Sequence, residues 1–363
     1  MYTVKHSVFG ATALSRRATA GGIVAAALAP AIIARAADTL VVNAYGGEFG
    51  DILRRTVIEP FEKKFGVQVT FDDTGTSSTN YAKIRATRGA PGFDVAAELT
   101  AAENVLGAKE KLLLPVTEKE VPNLAHEWSK SRTSIPPNGT VNYYHYASLF
   151  YNKDRIKAPE SWLDYFRPQA KYGDAIKGKL LAFDPANVLE VYAIAMGAQA
   201  VGGGIGNMAP GFALLKEQKP YVSQVPTMSS AAVPSFENGS VWLAPFWSSR
   251  AAYYKARGLP FDFVIPKEGT MGLGGTSGIP VNTGNPRLAY EFLNYRLEPE
   301  VQRAFCLAYF ASPARPDVEF PAEFAAQQIT TQARMDALQL PDAEAISANI
   351  RAWTLQFQEI MSG

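Results

Sequence analysis

Cysteine is nearly absent. Cys306 stands alone among 363 residues, so no internal disulfide is available. Its surroundings, "VQRAFCLAY", have an apolar helix-like pattern, which predicts a small buried core residue rather than a reactive thiol. Histidine is scarce as well, with three in the chain. His126 and His145 lie far apart, beside aromatic or surface residues, and read as structural. There is no Cys/His metal spacing, no H-E-x-x-H and no G-x-S-x-G elbow, so no metal or cofactor is expected. An exported hydrolase needs a nucleophile–base pair or a metal cluster, and neither is written here. "GIGNMA" fits a loose dinucleotide pattern, but it follows a helix rather than a strand and precedes Pro210, so it assigns no nucleotide site. No repeat of 20–50 residues and no low-complexity tract occurs.

Acid is missing from the front of the chain: no Asp or Glu precedes Asp38, while Lys5, Arg16 and Arg17 do. Ala18–Ala34 is apolar or small and is interrupted by Pro30. It is shorter and more Ala-rich than the roughly 20 strongly apolar residues of a membrane span. Ala34 and Ala36 form a small-x-small cleavage pattern, which predicts an export signal over residues 1–36, cut after Ala36. Arg16-Arg17 resembles the start of a twin-arginine signal, although Thr19 stands where that signal has a large apolar residue. The twin-arginine and general secretory routes both stay open. Without Lys5, Arg16, Arg17 and Arg35 the formal charge falls from +1 to −3. A mildly acidic chain with no basic block has no electrostatic footprint for nucleic acid.

The remaining length exceeds one comfortable core, which predicts two lobes. Strands and helices alternate at first. "TLVVNAYG", "VQVTFDD" and "FDVAAEL" read as strands. "GDILRRTVIEPFEKKFG" reads as an amphipathic helix with Ile52, Val57, Phe61 and Phe65 near one face and Gly66 as its stop. "TSSTNYAKIRATRG" and "TAAENVLGAKEKLLL" read as further helices. A βαβαβα order predicts a mostly parallel sheet with helices on both faces. Ligands of such sheets sit beyond the carboxyl ends of the strands, which singles out the loops "YGGEFG", "DTGTSST" and "ELTAAE". "TVNYYHYASLFYNK" is an aromatic strand able to carry the chain into a second lobe. "NVLEVYAIAMGAQAVG" is a strong helix, "GSVWLAPFW" a strand, and "FDFVIPKEGT" and "SGIPVNTG" read as strands returning to the first lobe. The chain is mainly helical from Pro286.

This order resembles that of the periplasmic solute-binding proteins of ABC importers, in the branch of spermidine and putrescine binders. The likeness covers nearly all of the mature chain. It rests on "VIEPFEKKFGVQVTF", "TNYAKIRA", "GFDVAA", "LFYNKDRI", "ESWLDYFRP", "KGKLLAFDP", "FENGSVWLAPFW", "FVIPKEGT" and "GIPVNTGNPRLAYEFLNYRLEPEVQ", which occur in the shared order. The resemblance implies an α/β fold of two lobes, two mixed sheets with flanking helices, and a ligand held in the cleft between them. It implies a periplasmic monomer whose closure delivers a small molecule to the transmembrane subunits of an ABC permease, with no enzymatic step. A receptor-docking sensor would use the same cleft. The lobes are expected at residues 37–144 with 249–298 and at 145–248 with 299–363.

Candidate ligand residues follow. Tyr45, Gly46, Gly47 and Glu48 lie in the first loop, where the polyamine branch has an Asn-Trp-like pair. Ser77 and Ser78 are candidate N-caps that also offer hydroxyls and free N–H groups to an anion. Thr100 stands at the next helix start. Asp184, Asn187 and Glu190 fall where the branch supplies acids to an ammonium, and Asp184-Pro185 also suits a turn. Trp247 takes the place of a cleft Trp. Ser248 and Arg250 follow it, and Arg250 offers a planar fork for carboxylate, phosphonate or phosphate. Thr276 and Ser277 occupy the segment that carries an amine-pairing Asp in the branch. Hydroxyls in place of that Asp, and glycine in place of the first-loop Trp, predict a smaller polar ligand with an anionic end rather than a full-length polyamine.

Overall fold

Three short strands open the structure: β1 (Thr39–Asn43), β2 (Gln68–Asp72) and β3 (Val95–Leu99). β1 pairs parallel with both of the others, as the alternation predicts. The computed structural model describes residues 39–134, 138–341 and 343–363, so the export signal and its cleavage site lie outside the described residues. The helix after β1 runs through Gly47–Leu53, a π turn at Arg54–Ile58, and Glu59–Phe65. The π turn lies just before Pro60, whose missing N–H interrupts the regular ladder. Gly66, at φ 65°, ends the helix in the left-handed conformation.

The remaining strands are β4 (Thr140–Asn152), β5 (Leu180–Leu181), β6 (Val222–Gln224), β7 (Leu243–Trp247), β8 (Phe261–Val264), β9 (Thr270–Gly278), β10 (Ser312–Pro313) and β11 (Leu338–Gln339). The hydrogen-bonded order is β2-β1-β3-β9-β4-β7-β5-β6, with β8 and β10 on β4 and β11 on β9. β4 makes one continuous path of what the sequence reading divides into two sheets. Its first half, Thr140–Tyr146, pairs antiparallel with β9. Its second half, from Ala147, pairs with β7 and β8. At the handover the Ser248 hydroxyl accepts from the Tyr146 N–H at 3.2 Å, and the Thr270 hydroxyl donates to the Ala147 carbonyl.

Two large hydrophobic cores flank this crossing. One gathers Leu40, Val42, Phe61, Val95, Phe292, Phe305 and Cys306. The other gathers Phe150, Phe166, Phe183, Ile194, Phe236 and Phe246. The fold is two-lobed α/β, and particular residues distribute between the two cores as follows. Val301, Phe305 and Cys306 pack in the first core, although residues 299–363 were expected in the second lobe. Ala251, Ala252, Phe261 and Phe263 pack in the second core, although 249–298 was expected in the first. β8 therefore does not return to the first lobe; it pairs with the far half of β4. The strand expected at "SGIPVNTG" lies earlier, ending at Gly278. Pro280 has no N–H to continue a ladder.

Candidate ligand cleft

The loops after β1, β3, β5 and β7 carry most of the predicted residues. Gly46 precedes the first helix, and a Cβ there would lie 2.5 Å from the Asp73 carbonyl oxygen. Gly47 has φ 62° and open space where a side chain would begin. An L-residue is strained at that angle, so the position suits glycine rather than a stacking aromatic. Glu48 reaches Arg250 of the Ser248–Ala256 helix, Oε2 to Nη1 at 2.7 Å. Glu48 belongs to the helix that covers the first core, and Arg250 to a helix of the second. The pair therefore links the two lobes.

Aromatic rings continue from this pair. The Arg250 guanidinium lies 6.0 Å from the Tyr309 ring centre. Trp247 stacks on His145 with centroids 4.5 Å apart and planes 12° apart. Its other contact is edge-on to Tyr192 at 5.9 Å. Burial, with Arg250 adding its charge, pushes the His145 pKa down to about 3. The ring is neutral at ordinary pH, and among the described residues neither of its nitrogens has a hydrogen-bond partner. Tyr45 hydrogen-bonds with Ser77, and its pKa is raised first by burial and then by Glu98 and Glu103.

Tyr192 leads into a cavity of about 240 Å³. Thr100, Ala101 and Ala102 form one wall, at the carboxyl end of β3. Pro185, Ala186, Val188 and Tyr192 form the facing wall, after β5. The floor is Val141 with Gly272, Leu273, Gly274 and Thr276 of the crossing strands. The C-terminal segment closes the space with Leu340, Pro341, Ile346 and Ile350. Among the described residues, no Asp, Glu, Lys or Arg lines it.

Local sequence explains the helix starts around this space. Thr100 caps the Ala101–Lys109 helix in a reciprocal capping box with Glu103. Asn187 caps Val188–Gln199, accepting from the Leu189 N–H at 3.3 Å. Asp184 is a turn former, accepting from the Ala186 N–H at 2.9 Å, and it also accepts from Gln358 at 3.2 Å. The helix after β2 is capped by Thr76 rather than by Ser77 or Ser78, because Thr76 and Thr79 make the reciprocal pair. Ser77 is buried beside Tyr45, while Ser78 is exposed.

Other predicted residues have their polar atoms occupied or buried. Glu190 is fully buried and accepts from the Phe183 N–H at 2.7 Å; burial pushes its pKa up to about 8. The Thr276 hydroxyl donates to the Leu99 carbonyl at 2.8 Å and accepts from Asn104. The Ser277 hydroxyl donates to Ala97 at 3.0 Å and accepts from Asn142 and Arg296. Arg296 also pairs with Glu98 at 3.1 Å, both side chains almost wholly buried. Burial raises the Glu98 pKa to about 7 against the pull of Arg296 and the Tyr143 hydroxyl.

Residues 56–331 match the model of the bacterial extracellular solute-binding proteins. The chain belongs to that family. Its spermidine/putrescine-binding periplasmic relative in Escherichia coli is 26% identical over 255 residues, 68% of this chain and 70% of its own. A putrescine-binding periplasmic protein of the same organism is 24% identical and spans 94% of this chain and 98% of its own. The crystal structure of an extracellular solute-binding protein from Bordetella parapertussis superposes with a TM-score of 0.76 at 27% identity, covering 90% of this chain and 99% of that one. Members of this solute-binding family bind their solutes and do not transform them.

Tyr192, Ile346 and Ile350 line the cavity, although local pattern marks them only as helix residues. His145 is buried and stacked on Trp247, in keeping with a structural role. Ile346 and Ile350 lie beyond the family match, which ends at residue 331. A signal for them existed: Ile346, Ile350, Trp353 and Phe357 recur at helical spacing and pack on the second core.

Proposed function

We infer that this solute-binding protein works in the periplasm, capturing a small solute between its lobes and presenting it to the transmembrane subunits of an ABC permease. The periplasmic relatives and the family match support the transport role. The cleft's composition supports a ligand other than a full-length polyamine. Each ammonium of a polyamine needs a carboxylate or an aromatic face. Among the described residues, the cavity has no carboxylate on its walls, and Glu48 is already paired with Arg250. A dication would leave one charge unpaired in a desolvated space, which costs several kcal/mol. A solute with one anionic end fits better: the end exchanges with Glu48 for Arg250, in the helix that follows Trp247 and beside the Tyr309 ring.

The observation that carries this reading is a cavity with no charged side chain among the described residues, whose Tyr192 touches Trp247, three residues before Arg250 of the Glu48–Arg250 pair. Titration calorimetry against putrescine, spermidine and small carboxylates and phosphonates tests it. The expected result is anion binding that Arg250→Ala weakens by about 1.5–3 kcal/mol, the range for hydrogen bonds to a charged group. Submicromolar spermidine binding, unaffected by Arg250→Ala, would overturn it.

A further inference from the structure

The C-terminal segment is part of the cavity and touches both lobes. β11 pairs parallel with the crossing strand β9. Just before β11, the Lys130 ammonium donates to the carbonyls of Met335, Asp336 and Leu338 at 2.9, 3.0 and 2.5 Å. The Ala343–Ser362 helix then packs against the Ala101–Lys109 helix on one side and the Ala209–Gln218 helix on the other. Gln358 fastens it to the Asp184 turn. Leu340, Ile346 and Ile350 consequently face the ligand space from a segment outside the matched family region.

We propose that this segment is the specificity wall of the cleft, and that the solute it admits has an aliphatic body with a single charged end. The proposal rests on the reading of the cleft as the solute site and adds the chemistry of the solute's far end. Ala101, Val188, Leu273, Leu340, Ile346 and Ile350 offer only hydrocarbon to that end. Two side-chain hydroxyls that reach the space are already engaged: the Thr100 hydroxyl accepts from the Glu103 N–H at 3.2 Å, and the Thr276 hydroxyl donates to Leu99. Among the described residues, a second charge there would meet no charged side chain as counter-ion. Hydrocarbon gains by leaving water, and a cavity of 240 Å³ limits how much of it enters. Ile346 and Ile350, one helical turn apart, set that limit.

The test is calorimetry of the full mature chain with straight-chain monocarboxylates of increasing length, the matching α,ω-dicarboxylates, and putrescine. Affinity for monocarboxylates is expected to rise roughly fourfold per methylene, the equivalent of burying one CH₂, until the cavity is full, and then to fall. Dicarboxylates of equal length should bind at least tenfold more weakly. Ile350→Trp should abolish the gain from chain length. Ile346→Ala should move the optimum to a longer chain. Near-ultraviolet circular dichroism confirms that both variants are folded. An optimum that neither variant moves would overturn the assignment of the wall. Preference for dicarboxylates or putrescine, or no binding across the series, would overturn the ligand class. The cleft reading is judged separately, by whether Trp247→Ala releases whatever solute co-purifies.

Discussion

Glu48 and Arg250 meet across the cleft, 2.7 Å apart and about one-third exposed on each side. A pair so open to solvent adds only about 0.2–1 kcal/mol to global stability. Its larger consequence concerns the balance between open and closed lobes, because each partner belongs to a different core. Glu48→Gln should lower the urea midpoint slightly and raise the solute-free radius of gyration in small-angle scattering. Saturating solute should restore compaction. Identical scattering from wild type and Glu48→Gln would show that the pair holds nothing closed.

Arg296 and Glu98 make the opposite kind of pair, buried and hydrogen-bonded on all sides. Arg296 also donates to Ala97 at 2.8 Å and to the Ser277 hydroxyl at 3.0 Å. Removing the guanidinium leaves the Glu98 carboxyl without its cation in the first core. Arg296→Ala should destabilise by about 3–5 kcal/mol, the cost of breaking a buried pair from one side. Urea denaturation checks this, and a loss below about 1 kcal/mol, the ceiling for an exposed pair, would contradict it.

Glu190 carries a pH signature. Its folded pKa of about 8 lies above the ordinary 4.5, with burial the main cause and Asp184 adding to it. The folded state therefore holds a proton that the unfolded state releases. Its contribution is complete below pH 4.5 and is lost as the pH rises toward 8, at up to about 1.4 kcal/mol per unit. Glu127, raised by burial to about 8, behaves alike, so the comparison must be between variants. Glu190→Gln should gain stability relative to wild type between pH 5 and pH 8. A constant difference across that range would refute the assignment.

The cap of the helix after β2 distinguishes three adjacent hydroxyl residues. Thr76→Ala should cost about 1 kcal/mol. Ser78→Ala, at an exposed position with no cap contact, should change stability by less than about 0.5 kcal/mol. Equal losses at both positions would mean that the cap is shared.

The helices and parallel strands of the first lobe were legible because short apolar runs and amphipathic stretches alternate there with glycine or Ser/Thr punctuation. The cap register was not, since Thr76, Ser77 and Ser78 are all good caps and only the Thr79 partnership decides between them. The grouping of segments into the two cores was not legible for a related reason. Phe305 and Phe261 are equally apolar, and which core each joins depends on strand pairing through β4. The placing of loops at the carboxyl ends of the parallel strands followed from topology, whereas the Glu48–Arg250 and Glu98–Arg296 pairs join residues about 200 positions apart, and no local pattern reveals them. The C-terminal wall left a helical stripe in the sequence, but nothing there indicates that its first turns face a cavity.

The most direct measurement is native mass spectrometry of the mature protein purified from periplasm, followed by denaturation and identification of the released molecule. The account predicts one small solute per chain, with a single charged end and an aliphatic body, retained by wild type and lost from both Trp247→Ala and Ile350→Trp. A released polyamine, or a solute that both cleft variants retain at wild-type occupancy, would contradict it.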